Sequence, residues 1–194
     1  DDSRSIATLP LLDASERRRL LVEWNATHAA YPDHSCIHEL IEARAAASPQ
    51  AVALEHGGTE VSYAELNARA NRLARHLRKL GVVPDARVAL CMTRGIDMVV
   101  SLLAVWKAGA AYVPLDPAYP SERLVFMLED SAPLALLTHG EIPAALHATL
   151  RLAVAGSGTA LIDLEADSGR WARQAADNLS RSETGVEPDH LAYV

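Results

Sequence analysis

The stretch GIDMVVSLLAVWKAGAAYVPLDPAYP, residues 95–120, decides the fold of this chain. Its first half, Ile96 to Trp106, is a nearly continuous apolar run, which is typical of a helix that is buried on all sides. A bilayer-spanning helix needs about 20 uninterrupted apolar residues, and charged residues bracket this shorter run. We therefore predict a buried helix that ends in a left-handed C-cap at Gly109, with Lys107 in its last turn as a cation that suits the helix dipole.

Short apolar strands and further helices surround this stretch. The strand Ala111 to Val113 follows the buried helix and is ended by Pro114, and a buried helix that feeds a buried strand is half of a βαβ unit. We therefore predict an α/β fold with a mostly parallel sheet and flanking helices. Similar patterns predict a strand over Arg87–Met92, a helix over Ser121–Asp130 and a strand over Leu134–Thr138.

The first residues predict a short helix outside the main domain. Asp13 and Glu16 form a capping box before a helix that runs to about Trp24. This helix is too short to be stable without support, so its apolar stripe must dock on something. We predict that residues 1–34 are an interdomain linker and that residues 35–194 belong to a domain.

Two further helix starts frame a predicted hairpin. Ser35 is the expected N-cap of one helix, which Pro49 closes, and residues 51–62 form two strands around a glycine turn. Ser62 then caps the next helix, with Glu65 as the reciprocal acid. The polar residues of that helix face away from its apolar stripe: Asn67, Arg69, Arg72, Arg75 and Lys79.

The patterns weaken in the last third of the chain. The final residues begin a strand and stop inside it, which predicts a truncation rather than a domain end. The predicted elements beyond Gly140 are short strands at Leu152–Val154, Ala160–Asp163 and Leu191–Val194, a helix over Trp171–Leu179 and a loop over residues 180–190.

Composition excludes several classes of partner. The 194 residues are 49% hydrophobic and 22% charged, and the net charge is −7 with dispersed basic residues. That balance argues against nucleic acid and against a membrane surface. The two cysteines, Cys36 and Cys91, form no CxxC pair, which fits a reducing cytoplasm. No signal peptide is evident, so we expect a cytoplasmic protein.

A Gly-Ser-Gly turn near the end of the chain suggests a dinucleotide-binding loop. Gly156 and Gly158 match two positions of that fingerprint, but Leu161 stands where a third glycine is required, and no helix clearly follows. We favour plain loop glycines and keep a Rossmann-like nucleotide binder as an alternative.

Ligand-type side chains cluster at one place only. His34, Cys36 and His38 are close in sequence, but if Ser35 caps the helix, His34 lies outside it and the three need not converge. We therefore predict no metal site there.

The remaining reactive residue types have simpler interpretations. Lys79 lies on a polar helix face and Lys107 at a helix end, so neither is predicted to be a catalytic amine. Asp116 follows a strand, where ligands gather in α/β sheets, but an Asp-Pro pair also starts a turn, which we favour. Ser62 and Ser157 lack an arguable triad. These residues predict no catalytic, cofactor-binding or metal-binding side chain.

Two motifs nevertheless resemble those of the adenylation domains of nonribosomal peptide synthetases, in the adenylate-forming superfamily. Val61–Leu66 (VSYAEL) is similar to the family's first core motif. Residues 106–116 (WKAGAAYVPLD) are similar to its second, and residues 117–124 continue the likeness. Leu9–Asn25 resembles the linker that follows a condensation domain. The likeness covers essentially the whole chain, most firmly residues 35–138.

The resemblance implies a reaction and its partners. It implies that the intact domain uses ATP and Mg²⁺ to convert an amino acid into an aminoacyl-adenylate, which then loads the phosphopantetheine thiol of a carrier domain. It also implies a preceding condensation domain and, in some members, a small activator protein. The fold implied is the N-terminal part of the large lobe, incomplete at its C-terminus.

The chain also departs from the family pattern. The family's phosphate loop would lie past Val194, and the aspartate that holds the substrate amine, the ribose-binding aspartate and the catalytic lysine are absent. We therefore carry over no catalytic residue and expect residues 1–194 alone to be inactive. The alternative is a non-catalytic docking or scaffolding module within a multidomain synthetase.

Overall fold

A computed structural model describes residues 11–194, and the chain divides into two compact units, one up to Asp33 and one from His34 to Val194. The first part of the predicted Leu9–Asn25 linker likeness lies outside the described residues. In the first unit, α1 (Ala14–Arg18) continues as a π-helical stretch, Arg19–Glu23. The predicted capping box is confirmed, because the Asp13 carboxylate accepts from the Glu16 amide at 2.8 Å and the Glu16 carboxylate accepts from the Asp13 amide at 3.1 Å.

The second unit alternates helices and strands. In chain order they are α2 (Ile37–Ala47), β1 (Val52–His56), β2 (Thr59–Ser62), α3 (Tyr63–Lys79), β3 (Arg87–Cys91), α4 (Ile96–Ala108), β4 (Ala111–Pro114), α5 (Ser121–Ser131), β5 (Ala135–Thr138), α6 (Ala144–Val154), β6 (Ala160–Asp163) and α7 (Arg181–Thr184).

The main sheet confirms the predicted α/β class. Its four strands are all parallel and lie in the order β4-β3-β5-β6, while β1 and β2 form a separate antiparallel hairpin. Alternate residues of β3 serve opposite faces. Val88 and Leu90 pack in a core with α3 and α4, whereas Ala89 and Cys91 pack in a second core with α5 and α6. The sheet is therefore covered on both sides, as parallel sheets require.

The last residues of the chain lie along the outer edge of β4. Tyr193 forms a parallel bridge with Tyr112, and their rings stack at 5.9 Å. The Trp106 indole donates to the Ala192 carbonyl at 3.0 Å. The strand predicted over Leu191–Val194 is thus present as a short pairing held by an aromatic cluster.

Helix α4 is buried and ends as predicted at Gly109, whose φ is +94°. Lys107 lies in the last turn of α4, as predicted, but its surroundings differ from those of an ordinary helix-end cation. Its side chain is completely buried and forms an ion pair with Glu42 of α2, and its ammonium lies 3.4 Å from Asn178 Oδ1. Burial lowers the pKa of Lys107, and the bond to Glu42 opposes that shift. The helix dipole alone does not predict that the Lys107 ammonium pairs with Glu42 inside the protein.

The polar face of α3 is not left to solvent either. A returning segment, residues 174–183, crosses it and accepts most of its hydrogen bonds. Asn71 donates to the Ala176 carbonyl at 2.6 Å, and Arg75 pairs with Asp177 at 2.9 Å. The amphipathic pattern of α3 therefore marks a buried apolar face and a polar face that the returning segment partly covers.

Two caps differ from the sequence prediction. Helix α2 is capped at Cys36 rather than Ser35, and Glu39 accepts from the Cys36 amide at 2.8 Å. Ser62 caps α3 as predicted, with its hydroxyl accepting from the Glu65 amide at 3.2 Å. The reciprocal bond is not formed, because the Glu65 carboxylate binds Arg69 instead.

The larger errors of secondary-structure prediction lie in the last third of the chain. The strand predicted at Leu152–Val154 is wrong, since these residues end α6. The helix predicted over Trp171–Leu179 is also wrong, because those residues form turns. The predicted loop over residues 180–190 contains α7, which Ser180 caps. The strand at Ala160–Asp163 is confirmed as β6. Among the described residues, no helix has the length and apolar character needed to span a bilayer.

The Lys107–Glu42 pair predicts an asymmetric response to mutation. Glu42→Gln leaves a buried ammonium without a counter-charge, so the free energy of unfolding should fall by about 3 kcal/mol. The double variant Glu42→Leu/Lys107→Met removes both charges and should lose clearly less. Urea denaturation measures both, and Glu65→Gln, which breaks an exposed pair with Arg69, is the control with an expected loss below about 0.5 kcal/mol. Equal losses for Glu42→Gln and Glu65→Gln would contradict this account.

Candidate functional site

The strand order creates a topological switch point between β3 and β5. From β3 the chain passes through α4 on one face of the sheet to β4, and from β4 it passes through α5 on the opposite face to β5. After β5 the chain leaves through α6 on that opposite face. The connections that follow β3 and β5 therefore diverge at the carboxyl ends of these two strands. In open α/β sheets ligands bind in such a crevice, so the carboxyl edge of this sheet is the candidate functional site.

The switch-point crevice is a cavity of about 170 Å³ lined by the loops after β3 and β5 and by the β1–β2 hairpin. Two polar contacts tie the loops together across it. The Thr93 hydroxyl donates to Glu141 Oε2 at 2.7 Å, and His139 Nε2 lies 3.4 Å from Asp97 Oδ2.

A larger cavity of about 500 Å³ opens on the other side of the β3–α4 loop. Its walls are mainly apolar and include Leu90, Met98 and Leu115. Asp116 lies at its border, where its carboxylate accepts from the Ala118 amide at 2.9 Å and forms the turn that its Asp-Pro sequence indicates. The volume is within the range of small-molecule sites.

Arg94 lines both cavities and is exposed. Within residues 11–194 it has no ion-pair or hydrogen-bond partner, and the carboxylates in the lining of the two cavities are Asp97, Glu141 and Asp116. The edge thus offers one free guanidinium among several acids. Cys91, at the end of β3, is no nucleophile, because burial, and then the charge of Asp116, raise the pKa of its thiol to about 11.

The histidine and cysteine candidates lie away from this edge. His38 is 4% exposed, and burial, reinforced by the charge of Lys107, lowers its pKa to about 4. Burial, and then Glu39, raise the pKa of the Cys36 thiol. In residues 11–194, no group of three or more His, Cys, Asp or Glu side chains is arranged to hold a metal ion. His34, Cys36 and His38 are therefore not brought together as ligands.

The remaining candidate residues lie in turns or form hydrogen bonds that stabilise the fold. Gly156 and Gly158, each with φ of +83°, form a turn after helix α6, whereas the dinucleotide fingerprint follows a strand. Ser157 bonds to the Val154 carbonyl and to Thr159 within that turn. Lys79 donates to Gln174 at 3.0 Å.

Sequence reasoning missed the residues that line the switch point. His139 and Glu141 directly follow the strand β5, and His56 ends β1. The available signal was a polar side chain just after a predicted buried strand, which the sequence analysis applied to Asp116 alone. Their convergence depends on strand order, which the local patterns do not contain.

Comparisons with known proteins give a consistent result. A family model described as AMP-binding enzyme matches residues 41–194. Bacitracin synthase 3 of Bacillus licheniformis is 38% identical over 194 residues, which is 100% of this chain and 3% of that protein. The dimodular nonribosomal peptide synthase of Bacillus subtilis is 45% identical over 139 residues, which is 72% of this chain and 6% of that protein. The chain thus spans only a small part of the relatives it matches.

Solved structures show the same likeness. The nonribosomal peptide synthetase FmoA3 in its alpha-methyl-L-serine-AMP bound form superposes with a TM-score of 0.74 at 27% identity, over 91% of this chain and 18% of that one. The N-terminal domain of FACL13 from Mycobacterium tuberculosis gives 0.68 at 27% identity, over 75% of this chain and 38% of that one.

The buried neutral His38 predicts a loss of stability in mild acid. Its pKa is 6.5 when unfolded and about 4 when folded, so between these values the unfolded chain binds a proton that the folded chain does not. The free energy of unfolding should therefore fall as pH decreases, by about 1.4 kcal/mol per pH unit at most. Glu39, whose pKa its bond to Arg181 lowers from 4.5 to about 2, adds a further loss only below its unfolded value.

His38→Gln should remove this slope between pH 6.5 and 4.5. Urea denaturation across that window compares it with wild type, and we expect the two curves to differ in slope by an amount on the order of 1 kcal/mol per pH unit. His28→Gln, at an exposed residue of the first unit, should keep the wild-type slope. An unchanged slope in His38→Gln would show that this histidine does not titrate as its burial requires.

Proposed function

The chain belongs to the AMP-binding enzyme family, and on that premise we propose that residues 35–194 are part of an adenylation domain of a nonribosomal peptide synthetase. The intact domain joins the carboxylate of an amino acid to the α-phosphate of ATP and releases pyrophosphate. The aminoacyl group then passes from the adenylate to the phosphopantetheine thiol of a carrier domain, and AMP leaves. The observation that carries this proposal is the match over residues 41–194 together with the synthetases that align along most of the chain.

The two solved forms of FmoA3 support the chemistry. One is described as bound to alpha-methyl-L-serine-AMP, which is an amino acid joined to AMP, and another as bound to AMPPNP. Both superpose on this chain at 25% identity or more. By this likeness the intact domain binds the same classes of ligand, an aminoacyl-adenylate and a nucleoside triphosphate. That it works in the cytoplasm is our expectation from the sequence.

The described residues do not fit a complete Mg-ATP site. A polyphosphate needs cationic or amide donors that converge on it, and Mg²⁺ needs oxygen ligands in octahedral geometry. The carboxyl edge provides one free guanidinium, on Arg94, and several carboxylates that repel phosphate. No cluster of metal-ligating side chains is arranged among residues 11–194. We therefore assign no catalytic step to these residues.

Residues 35–194 supply one rigid side of the domain, formed by the parallel sheet and the helices that cover it. The sheet is buried on both faces, and its carboxyl edge presents two cavities around the β3–α4 loop. The segment Ala192–Val194 runs parallel to β4 and therefore directs its carboxyl end to this same edge. Trp106 and Tyr112 hold that segment in place through the indole bond and the ring stack.

A 194-residue polypeptide of this sequence should show no amino-acid-dependent exchange of pyrophosphate into ATP, because its edge lacks the donors that a triphosphate needs. The synthetase module that contains it should show exchange with at least one amino acid. The measurement is radiolabelled pyrophosphate exchange with each proteinogenic amino acid. Exchange by the isolated polypeptide, or none by a folded module, would count against the proposal.

A second candidate is a docking role for the linker. In the first unit, Leu21, Val22 and Trp24 are 58%, 58% and 65% exposed, so residues 11–33 leave these apolar side chains largely uncovered. A preceding condensation domain is the partner we propose for it. Carrier and condensation domains are then the neighbours of residues 1–194 in the assembled synthetase.

A peptide covering residues 1–34 should bind the condensation domain in trans if the linker docks there. Fluorescence anisotropy of a labelled peptide measures this. The matched control is the same peptide with Leu21→Ser and Trp24→Ser, which should lose most of the binding because it loses the apolar contact. Equal binding of the two peptides would rule out docking through this face.

A further inference from the structure

The turn that precedes β3 contains a residue in an unusual backbone conformation. Asp85 has a φ of +62°, and among residues 11–194 the only other non-glycine residue with a positive φ is Ala132. The Ala86 amide donates to the Val83 carbonyl at 3.0 Å across Pro84 and Asp85. Proline in the second position and a positive φ in the third are the pattern of a type II turn, in which the third residue is usually glycine or asparagine.

The side chain of Asp85 has a partner far along the chain. Its carboxylate oxygen Oδ1 accepts a hydrogen bond from the Leu191 amide at 2.8 Å. Glycine would fit the turn with less strain, but it could not accept this bond. Backbone strain that persists in a native structure points to a function of the strained residue, and the bond to Leu191 is the contact that an aspartate adds at this position.

The residues that follow Leu191 pair with β4 in one register. The Tyr112 amide donates to the Ala192 carbonyl at 3.2 Å, and the Val194 amide donates to the Tyr112 carbonyl at 3.0 Å. This register places Tyr193 opposite Tyr112, where the two rings stack. A shift by one residue would turn the Tyr193 ring to the other face. The pairing is shorter than an ordinary strand, so it depends on additional contacts to keep this register.

The bond from Leu191 to Asp85 lies directly before this pairing. The turn that carries Asp85 is itself attached to the start of β4, because the Ala111 amide donates to the Ala86 carbonyl at 2.8 Å. The Asp85 carboxylate therefore holds the beginning of the paired segment at a fixed distance from the strand with which that segment pairs.

We propose that Asp85 is a positioning residue for adenylation, an inference that rests on the proposed function. By accepting the Leu191 amide, Asp85 fixes the register of residues 192–194 on β4, and with it the direction in which the chain reaches the carboxyl edge. That edge lacks the donors that a triphosphate needs, so the path of the chain toward it affects the binding of ATP. Asp85 precedes β3 and lies at the opposite edge of the sheet, so it acts through the segment and not by contact with the reactants.

Two substitutions separate the hydrogen bond from the turn. Asp85→Gly keeps the positive φ and removes the acceptor, whereas Asp85→Asn keeps both. Hydrogen–deuterium exchange with mass spectrometry, applied to the synthetase module, follows a peptide that covers residues 186–194. We expect exchange at least about fivefold faster in Asp85→Gly, since one hydrogen bond contributes that much, and close to wild type in Asp85→Asn. Ala132→Gly relieves a positive φ elsewhere and should exchange like wild type.

Pyrophosphate exchange by the same module tests the consequence for the reaction. Asp85→Gly should raise the KM for ATP at least about fivefold and change the KM for the amino acid by less than about twofold. Its melting temperature should stay within about 2 °C of wild type, because glycine relieves the strain of the turn as the hydrogen bond is lost. Asp85→Asn should restore the wild-type KM. A role in stability alone would change the melting temperature and leave the two KM values in their wild-type ratio.

Equal hydrogen exchange of residues 186–194 in wild type and Asp85→Gly would refute the bond as the contact that fixes the register. An unchanged KM for ATP in a module whose segment is loosened would refute the positioning role. If the wild-type module shows no pyrophosphate exchange with any amino acid, the proposed adenylation fails, and the positioning role fails with it. Hydrogen exchange still decides whether Asp85 holds the segment, so the two failures are distinguishable.

Discussion

The constraint on which the second unit depends is the burial of α4 on all sides. An all-apolar helix can be placed anywhere in an apolar core, but α4 carries one buried charge, Lys107, that must be satisfied there. Its partner is Glu42 of α2, and Asn178 of the returning segment lies beside it. Because an unpaired buried ammonium costs several kcal/mol, this one side chain fixes which helix and which loop can cover α4. The ion pair selects the arrangement more than it stabilises it.

A polar layer extends from this point along α3. Asn178 accepts from Asn67 and Asn71, and the backbone of the same segment accepts from Arg75 and Arg78. Arg78 also donates to the Ala108 carbonyl at 3.2 Å, at the end of α4. Before α7 begins the returning segment is irregular, but its Ala176 and Asp177 carbonyls accept hydrogen bonds from side chains of a regular helix. That explains why residues with no helical or strand pattern still adopt a defined path over the core.

Local patterns predicted what depends on local physics. Gly109, Ser62 and the apolar runs of β3, α4 and β5 each satisfy a requirement of their own segment. The failures arose where a segment's structure depends on distant residues. The buried residues of α6 are spaced by four: Leu146, Leu150 and Val154. The strand prediction rested on the apolar triplet Leu152–Val154 alone. Trp171–Leu179 has good helix formers, but its Ala176 and Asp177 carbonyls accept hydrogen bonds from Asn71 and Arg75 of α3.

The candidate functional site also combines features set by adjacent residues with features set by distant ones. That Asp116 forms a turn follows from two adjacent residues, whereas the meeting of Thr93 with Glu141 and of Asp97 with His139 follows from the order of four strands. Once these contacts exist, the carboxylates at the edge have a consequence for chemistry. Asp97, Glu141 and Asp116 line the same two cavities as Arg94, so a phosphate group gains little there unless donors from another part of the polypeptide converge on it. This edge is rigid and poor in cations, and its larger cavity is apolar. It is therefore suited to binding the neutral parts of a ligand. The anionic parts of a ligand require donors from another part of the polypeptide. The parallel pairing of Tyr193 with β4 directs the chain toward the carboxyl edge of the sheet, where those donors would have to lie.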